Sequence, residues 1–433
     1  MKKIFGTLLI GLFGFILVAC GADSSNDRIE IDFWHMSPVG SEGFTEMRAI
    51  INQFNDSQDR IEVKGTGFSF WDYWDKINIA ISSRTAPDIG FHTIDDMILR
   101  AESGVLYNIS ELNAVESPRD PIDIDQFRTN QLEFLSYEDD LYALPFTATT
   151  RVLYYNLDMF NELGYDASDV PTTWDELKAL AKEFDEVEDG DIVRLGFDPT
   201  YGNATYHGWL WQTGEDFFDT NLNPTLNTPT HVEVLDWIVD FNGDFTRTQL
   251  NSFGESNQLL GLNVFAAEKV AMIVDTDGLY KILEDSNSDF TYGIAPIPVP
   301  EGGERINWGS GFSIEMFNNN RGDDAARDAT FEFMQYLMSY DTQIELTQAT
   351  GWLTGHIEAM EDYVAGDPLL TALLEEVDYA MDKVYVDYAP NWHAADWQSF
   401  FSKALDRSLT PEQALEQARE YYLEKQENFE ATN

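Results

Sequence analysis

Tryptophans next to polar side chains are the residues of this 433-residue chain whose chemistry is easiest to interpret. Trp34 and His35 end one predicted strand, and His92 and Asp95 follow another. A sugar ring presents C–H faces that pack on aromatic planes, and its hydroxyls need polar partners. Strand ends at the carboxyl edge of an open α/β sheet are places where such sheets bind ligands. These four residues are therefore candidates for a sugar-binding cleft.

Core packing is the competing role for every one of the 11 tryptophans. Trp174 and Trp237 lie on predicted apolar helix faces, so we assign both to the core. Several other tryptophans lie in predicted turns, where packing explains them less well.

Motifs for catalysis are not found in the sequence. It contains no G-x-S-x-G, H-E-x-x-H or Walker A pattern, and its six histidines stand singly. With 77 Asp and Glu, a pair of carboxylates at any chosen spacing arises by chance. We therefore expect no catalytic residue, no metal site and no cofactor. A secreted carbohydrate-active hydrolase that uses two carboxylates is the alternative from another class of protein.

The charge balance excludes another class of partner. Lys and Arg number 26 against 77 Asp and Glu, which gives a net charge of -51. Nucleic-acid binding needs clustered cations to neutralise phosphates, so no nucleic-acid partner is expected. A solvated surface suited to high salt or high external pH explains the carboxylates.

The first 20 residues have the pattern of an export signal. Lys2 and Lys3 precede an apolar stretch at 4–16, and the sequence LVAC ends at Cys20. This ending resembles a bacterial lipobox, which implies lipidation of Cys20 after cleavage. Residues 21–27 then form a polar tether, and the protein is expected on the outer face of the cytoplasmic membrane, at the cell surface or in the periplasm. An ordinary signal peptide with an incidental cysteine is the alternative.

Hydrophobic periodicity beyond the tether alternates between strand and helix. Apolar residues recur with the spacing of strands at 28–34, 61–65 and 87–91, and with that of helices at 43–54, 71–82 and 94–103. This order predicts a parallel sheet flanked by helices. Further along, a strand is predicted at 307–317 and a long helix at 323–339.

The stretch 141–177 reads as strand, turn, strand, helix and capped helix. Thr172 or Thr173 caps the second helix, with Glu176 as the capping-box partner. Its segments LYALPF, LYYNLDMF and PTTWDEL resemble the central signature of the family 1 extracellular solute-binding proteins, the sugar receptors of ABC importers, with maltose-binding protein as a familiar member. FWHMS, RTAPDI, EKVAMIVDTDGLY, YGIAPIPVP, NWGSGFSI and ATGWL extend the resemblance over nearly all of the mature chain.

The resemblance implies an α/β, two-lobed periplasmic-binding-protein-like fold. Each lobe is expected to hold a mainly parallel sheet flanked by helices, and a hinge that the chain crosses several times joins the lobes. The N-terminal lobe would comprise 28–145 plus 307–340. The C-terminal lobe would comprise 146–300 plus 341–429, with the hinge near 145–150, 300–307 and 340–352.

The resemblance also implies which residues line a cleft between the lobes, and it supports Trp34, His35, His92 and Asp95. Phe70, Trp71 and Trp74 would wall the first lobe. The further residues placed in the cleft are Thr149, Arg151, Trp209, Trp211, Asp275, Gly278, Trp308, Gly309, Gly311, Trp352, Trp392 and His393. Arg151 is the one cation placed there. Asp95-Asp96 departs from the Asp-Arg pair that can occur at this position.

By resemblance, the chain is expected to be a monomeric receptor that binds a sugar or oligosaccharide by hinge closure and delivers it to ABC permease subunits. A receptor for a polyol or glycerophosphodiester is the alternative among binding proteins. A surface adhesin without a transporter is a third interpretation.

Overall fold

The computed structural model describes residues 28–259, 263–286, 290–309, 311–319 and 322–432. The predicted signal peptide at 1–20, the lipidation site Cys20 and the tether at 21–27 lie outside these residues. Within the described ranges, no helix combines the length and the apolar character that crossing a bilayer requires.

The strands are short and lie mostly in two sheets. Their bounds are β1 Ile29–His35, β2 Ile61–Gly67, β3 Ile89–Thr93, β4 Ser136–Tyr137, β5 Asp140–Leu141, β6 Ala143–Pro145, β7 Arg151–Asn156, β8 Glu186–Glu188, β9 Asp191–Arg194, β10 Met272–Thr276, β11 Tyr292–Ala295, β12 Asn307–Trp308, β13 Phe312–Met316 and β14 Ala380–Met381.

Helices account for most of the remaining regular structure. Their bounds are α1 Glu42–Ser57, α2 Phe70–Ser82, α3 Met97–Glu102, α4 Ile109–Asn113, α5 Thr129–Phe134, α6 Leu157–Glu162, α7 Trp174–Phe184, α8 Tyr206–Trp211, α9 Pro229–Asp240, α10 Arg247–Leu259, α11 Gly278–Asp285, α12 Asp324–Leu337, α13 Tyr340–Thr350, α14 Ile357–Val364, α15 Pro368–Val377, α16 Trp397–Leu405 and α17 Pro411–Glu430.

The first sheet has the strand order β2-β1-β3-β13-β6. β1 pairs in parallel with β2 and β3, as the alternating pattern predicted, and β13 runs antiparallel to β3 and β6. The carboxyl ends of β1 and β3 therefore lie at one edge, which brings the segments that follow them close together.

The second sheet has the order β10-β7-β11, and both outer strands run antiparallel to β7. The prediction of a mainly parallel sheet in each lobe is therefore wrong for this part of the chain. The chain passes directly from the first sheet into β7. The strands β10 and β11 come later in the sequence and run in the direction opposite to β7.

Three clusters of buried residues form the cores. The first takes its members from 31–146 and 314–349, so the chain contributes to it twice. The other two take theirs from 153–422 and 148–377. Trp174 and Trp237 stack at 4.3 Å between ring centroids in the second cluster, which confirms their assignment to the core.

Local signals placed several helix ends correctly. Thr173 caps α7 by accepting from the Glu176 N–H, and the Glu176 carboxylate accepts from the Thr173 N–H. The strand predicted at 307–317 is instead two strands, β12 and β13. β12 pairs with β14, whereas β13 lies inside the first sheet.

Candidate functional site

Three segments connect the first sheet to the rest of the chain, and they lie side by side. They are 146–150 between β6 and β7, the described residues 307–309 and 311–312 at β12 and the start of β13, and 350–356 between α13 and α14. The Phe146 and Thr147 N–H groups donate to the Phe312 carbonyl at 2.9 and 3.0 Å. The Ala148 N–H donates to the Leu353 carbonyl at 2.8 Å. The segment 146–150 is thus hydrogen-bonded to each of the other two, and the candidate site is built around the three.

One part of the site, the Trp308 group, consists of Asp95, Arg151, Trp308, Lys383 and His393. The Arg151 guanidinium lies 4.1 Å from the centroid of the Trp308 ring, and its Nη1 donates to the Trp308 carbonyl at 2.8 Å. The Lys383 ammonium lies 4.4 Å from the same centroid. Trp308 is therefore engaged by two cations, an arrangement that cation–π attraction favours.

Lys383 is a functional candidate that the sequence reasoning missed. Its Nζ lies 3.0 Å from Oδ2 of Asp95, and the two side chains are 3% and 14% exposed. Burial lowers the pKa of Lys383, while the Asp95 carboxylate acts to raise it. The expectation that Arg151 would be the sole cation here is therefore wrong. The one available signal was a lysine in a tyrosine- and valine-rich stretch close to the predicted loop with Trp392 and His393.

His393 belongs to the group because its charge interacts with both members of this ion pair. Burial and the neighbouring Lys383 lower the pKa of His393 to about 4, with Asp95 opposing the change. His393 lies in a π-helical turn, Trp392–Asp396, a rare backbone form that recurs at functional sites.

The second part, the aromatic group, consists of Phe70, Trp74, Phe312 and Trp352. Phe312 is the centre of the group, with its ring 5.1 Å from Trp352, 5.4 Å from Trp74 and 6.1 Å from Phe70. Phe312 was not predicted, although the resemblance placed its neighbour Gly311 in the cleft.

A groove of about 300 Å³ adjoins the aromatic group. Its lining includes Phe70, Trp352 and Met36, together with Lys281 and Asp285 of α11. This volume lies at the lower end of the range of pockets for small organic ligands. The groove lies between elements that pack in the first core cluster and helix α11, which packs in the third core cluster.

Two predicted glycines fit tight contacts within this framework. A Cβ at Gly311 would lie 2.4 Å from the Thr147 hydroxyl, so a side chain there would disturb a connecting segment. The same hydroxyl accepts from Thr149, another predicted site residue. A Cβ at Gly278 would lie 3.1 Å from Nε1 of Trp352, so glycine allows the indole to lie close to the start of α11.

Gly309 is close to a carboxylate of the chain itself. A Cβ there would lie 3.1 Å from Oδ1 of Asp382. The predicted role of Gly309, to let a ligand approach the backbone, thus competes with the approach of Asp382. Asp382 also acts on the charges of Arg151 and Lys383.

The remaining predicted residues lie farther from the centre of the two groups. His92 contacts the aromatic group through Trp74, at 5.6 Å between ring centroids. Trp209 and Arg151 share the lining of a small cavity of about 20 Å³. Trp71 is 78% exposed and touches Phe70.

Four predicted residues are packed in the cores or beside them. His35 is buried and its pKa is lowered to about 4 by that burial, and Trp34 packs on Phe68. Trp211 and Trp392 are buried, and both contact the His207 ring. The structure does not bring these four into either group, and their contact with a ligand stays a prediction.

Asp275 and Asp277 form an acidic edge at the start of α11. Asp275 Oδ1 accepts from Asn203 Nδ2 at 2.5 Å, and burial raises its pKa. Asp277 Oδ2 accepts from the Leu353 N–H at 3.1 Å, which ties α11 to a connecting segment. Asp277 is 2% exposed, and burial raises its pKa to about 7.

Replacement of Asp277 by asparagine should change how stability depends on pH. A carboxyl whose folded pKa exceeds its ordinary value of 3.8 binds its proton more tightly in the folded state, so the wild type loses stability as pH rises towards 7. Between pH 5 and 7 this loss amounts to about 2 kcal/mol, and Asp277→Asn lacks it. Urea unfolding of both proteins at each pH measures the difference, in which the shared histidine effects cancel. Parallel pH profiles would contradict the prediction.

In the described part of the chain, no three His, Cys, Asp or Glu side chains come together in a way that could hold a metal ion. The chemistry available to the site is therefore that of aromatic surfaces, one buried ion pair and hydrogen-bonding groups.

Comparison with protein families gives one match, which covers three quarters of the chain. The model of a family described as bacterial extracellular solute-binding protein matches residues 49–372. A binding protein of Brucella abortus (strain 2308) is 27% identical over 277 residues, which are 61% of this chain and 65% of the relative. The chain thus spans slightly less than two thirds of that relative's length. An sn-glycerol-3-phosphate-binding periplasmic protein of Agrobacterium fabrum is 24% identical over 356 residues, covering 77% of this chain and 76% of the relative.

Solved structures resemble the fold along most of the chain. CpMnBP1 with mannotriose bound has a TM-score of 0.77 at 19% identity, covering 91% of this chain and 100% of the other. An ABC substrate-binding protein from Listeria monocytogenes in complex with cycloalternan has a TM-score of 0.76 at 20% identity, covering 92% and 99%. These similarities confirm the predicted two-lobed α/β fold.

Proposed function

The chain belongs to the bacterial extracellular solute-binding proteins, and from that premise we propose that it is the receptor of an ABC importer for a sugar or short oligosaccharide. The observation that carries the proposal is that Trp308 and Phe312, the centres of the two groups, lie in one connecting segment, and that Trp352, which packs on Phe312, lies in another. Aromatic rings suit the C–H faces of sugars, and the buried polar groups suit the hydroxyls. The structural neighbours were solved with mannotriose and with cycloalternan bound, which agrees with this class.

The two lobes are proposed to comprise 28–145 plus 307–340 and 146–300 plus 341–429, joined at the connecting segments. The division of buried residues supports this assignment up to residue 340, because the first core takes its members from 31–146 and 314–349; Leu346 and Ala349 of α13 pack in the first core and place the last boundary after α13. Ligand binding would favour the closed arrangement of the lobes by its higher affinity for that state. The closed, loaded receptor would then deliver its ligand to permease subunits in the membrane.

Export is implied by the family, and the anchor is a further proposal. It depends on the sequence LVAC that ends at Cys20, which lies outside the described residues. We also propose that the receptor acts as a monomer and returns its ligand chemically unchanged, as a binding protein does.

A receptor for a glycerophosphodiester or polyol is the second candidate. It is favoured by the similarity to the Agrobacterium fabrum protein, whose name gives sn-glycerol 3-phosphate as its ligand. The charges of the site bear on the choice between a neutral sugar and a phosphorylated ligand.

The proposed function is tested by measuring the melting temperature and tryptophan fluorescence of the protein without residues 1–20 against mono- and oligosaccharides. A true ligand at a hundred times its dissociation constant should stabilise the folded state by about 2.7 kcal/mol. We expect a saturable response to one class of sugar, with the sugar recovered intact by chromatography. Small-angle scattering should report a smaller radius of gyration with ligand. Cleavage of the sugar would favour the hydrolase, and no response to any neutral sugar would overturn the proposal.

A further inference from the structure

We propose that this site selects neutral ligands and rejects phosphorylated or carboxylated ones, and that Asp95 is the residue that sets this selectivity. The inference rests on the proposed function for the location of the ligand. It decides between the two candidate ligand classes by the charges of the chain's own residues.

The first argument is that Lys383 already has a carboxylate partner. Its Nζ lies 3.0 Å from Asp95 Oδ2, and the two side chains are 3% and 14% exposed. A phosphate that entered would have to displace Asp95 or approach it, and like charges at short range repel strongly where water is excluded. Lys383 therefore does not act as an anion receptor while Asp95 is charged.

The second argument concerns Arg151. One of its terminal nitrogens donates to the Trp308 carbonyl, and its planar group lies at the indole ring. Recognition of a phosphate by arginine depends on two parallel hydrogen bonds from the edge of the guanidinium. Part of that edge is here committed to the protein backbone.

The third argument is the balance of charge. In the Trp308 group, Arg151 interacts with Asp95, Asp275, Asp277 and Asp382, and Lys383 interacts with Asp95 and Asp382. Burial raises the pKa of Asp275 and Asp277, so we leave them out of the count, and Asp95 and Asp382 then equal the two cations in number. Lys281, which lines the groove, pairs with Asp285 at 2.7 Å. These residues therefore give the site no surplus of positive charge, and the net charge of -51 on the whole chain also opposes the entry of an anion.

A neutral polyol or sugar meets none of these penalties. Its hydroxyls both donate and accept, so one hydroxyl can accept from the Lys383 ammonium while another donates to the Asp95 carboxylate. The ion pair stays intact and gains partners. The same pair that excludes an anion therefore serves a ligand rich in hydroxyls.

The test uses sn-glycerol 3-phosphate as the probe and calorimetric titration as the measurement. We expect no saturable binding to the wild type at millimolar concentrations. Asp95→Asn releases Lys383, so it should raise the affinity for the probe by at least tenfold, which is the effect of a charge-assisted hydrogen bond. Added salt should weaken this gained binding. The double variant Asp95→Asn/Lys383→Met should lose the gain.

The matched control is Asp244→Asn. Lys182 Nζ lies 2.8 Å from Asp244 Oδ2, and these side chains are 49% and 73% exposed. The control makes the same chemical change and also releases a lysine, but on an exposed surface, so the affinity for the probe should not change. An equal gain in the control would overturn the inference.

Two further outcomes would overturn it: saturable binding of the probe to the wild type, or a folded Asp95→Asn protein without the gain. Circular dichroism establishes folding, and if the variant does not fold, the wild-type titration decides alone. The neutral-sugar screen is read separately. If the wild type binds no sugar but Asp95→Asn binds the probe, the sugar receptor is refuted and the charge selectivity is kept. If the wild type binds both a sugar and the probe, the charge selectivity is refuted and the sugar receptor is kept.

Discussion

Replacing Glu315 with glutamine should lower the free energy of unfolding by roughly 3 to 5 kcal/mol, because it leaves the buried Arg100 without its counter-charge. Arg100 donates to both carboxylate oxygens of Glu315, at 2.8 and 2.6 Å, and the side chains are 7% and 0% exposed. The Ser313 hydroxyl also donates to Glu315. Such a pair contributes little net stability when intact, but its disruption is costly.

Urea unfolding measures this loss, and Glu30→Gln is the matched control. Glu30 pairs with Lys64 at 2.6 Å, and the two side chains are 59% and 48% exposed. Exposed pairs contribute at most about 1 kcal/mol, so the control should remain close to the wild type. The double variant Arg100→Met/Glu315→Met should recover much of the loss, because no buried charge remains. Equal losses in Glu315→Gln and in the control would refute the argument.

The same pair also positions the site. Arg100 Nη2 donates to the Thr93 carbonyl at 2.6 Å, at the end of β3 and two residues before Asp95. We therefore expect the Glu315 variant, where it is still folded, to bind ligand more weakly than its exposed control.

Trp352→Ala should lower the affinity for the sugar ligand by about thirtyfold or more, because a central aromatic anchor contributes about 2 kcal/mol or more to binding. Trp352 lines the groove and packs 5.1 Å from Phe312. Trp352→Phe keeps an aromatic surface and should lose about tenfold. Calorimetric titration with the sugar found in the screen measures both.

Trp71→Ala serves as the comparison for this prediction. Trp71 lies on the first turn of α2, but it is 78% exposed and does not line the groove. Its removal should cost less than tenfold. If Trp71→Ala weakened binding as much as Trp352→Ala, the ligand would lie at the rim, and the placement in the groove would be wrong. Melting temperatures separate a loss of contact from a loss of fold.

Sequence reasoning identified most of the fold because the signals were local. The alternation of β1, α1, β2 and α2 appears in the hydrophobic period, and the cap of α7 in the pair Thr173 and Glu176. The direction of β7 depends on strands more than a hundred residues away, and the prediction for that sheet was wrong. β10, for example, begins at Met272.

The site was harder to predict from the sequence for the same physical reason, because its residues are far apart in the chain. Lys383 and Asp95 are 288 positions apart, and no period or motif connects them. Trp211 and Trp392 were predicted from the motifs around them, yet both are buried. Sequence alone does not separate a tryptophan that packs from one that could bind a ligand, because both are large and apolar.

The position of β13 has a consequence for when the protein can fold. β13 lies between β3 and β6, and β6 has no other partner in the first sheet. Its residues, Phe312–Met316, are made long after Pro145. A ribosome must therefore synthesise nearly three quarters of the chain before this sheet can close, and contacts so distant in sequence form slowly. Late closure keeps the nascent chain open, which is the state that a protein needs in order to be threaded across a membrane.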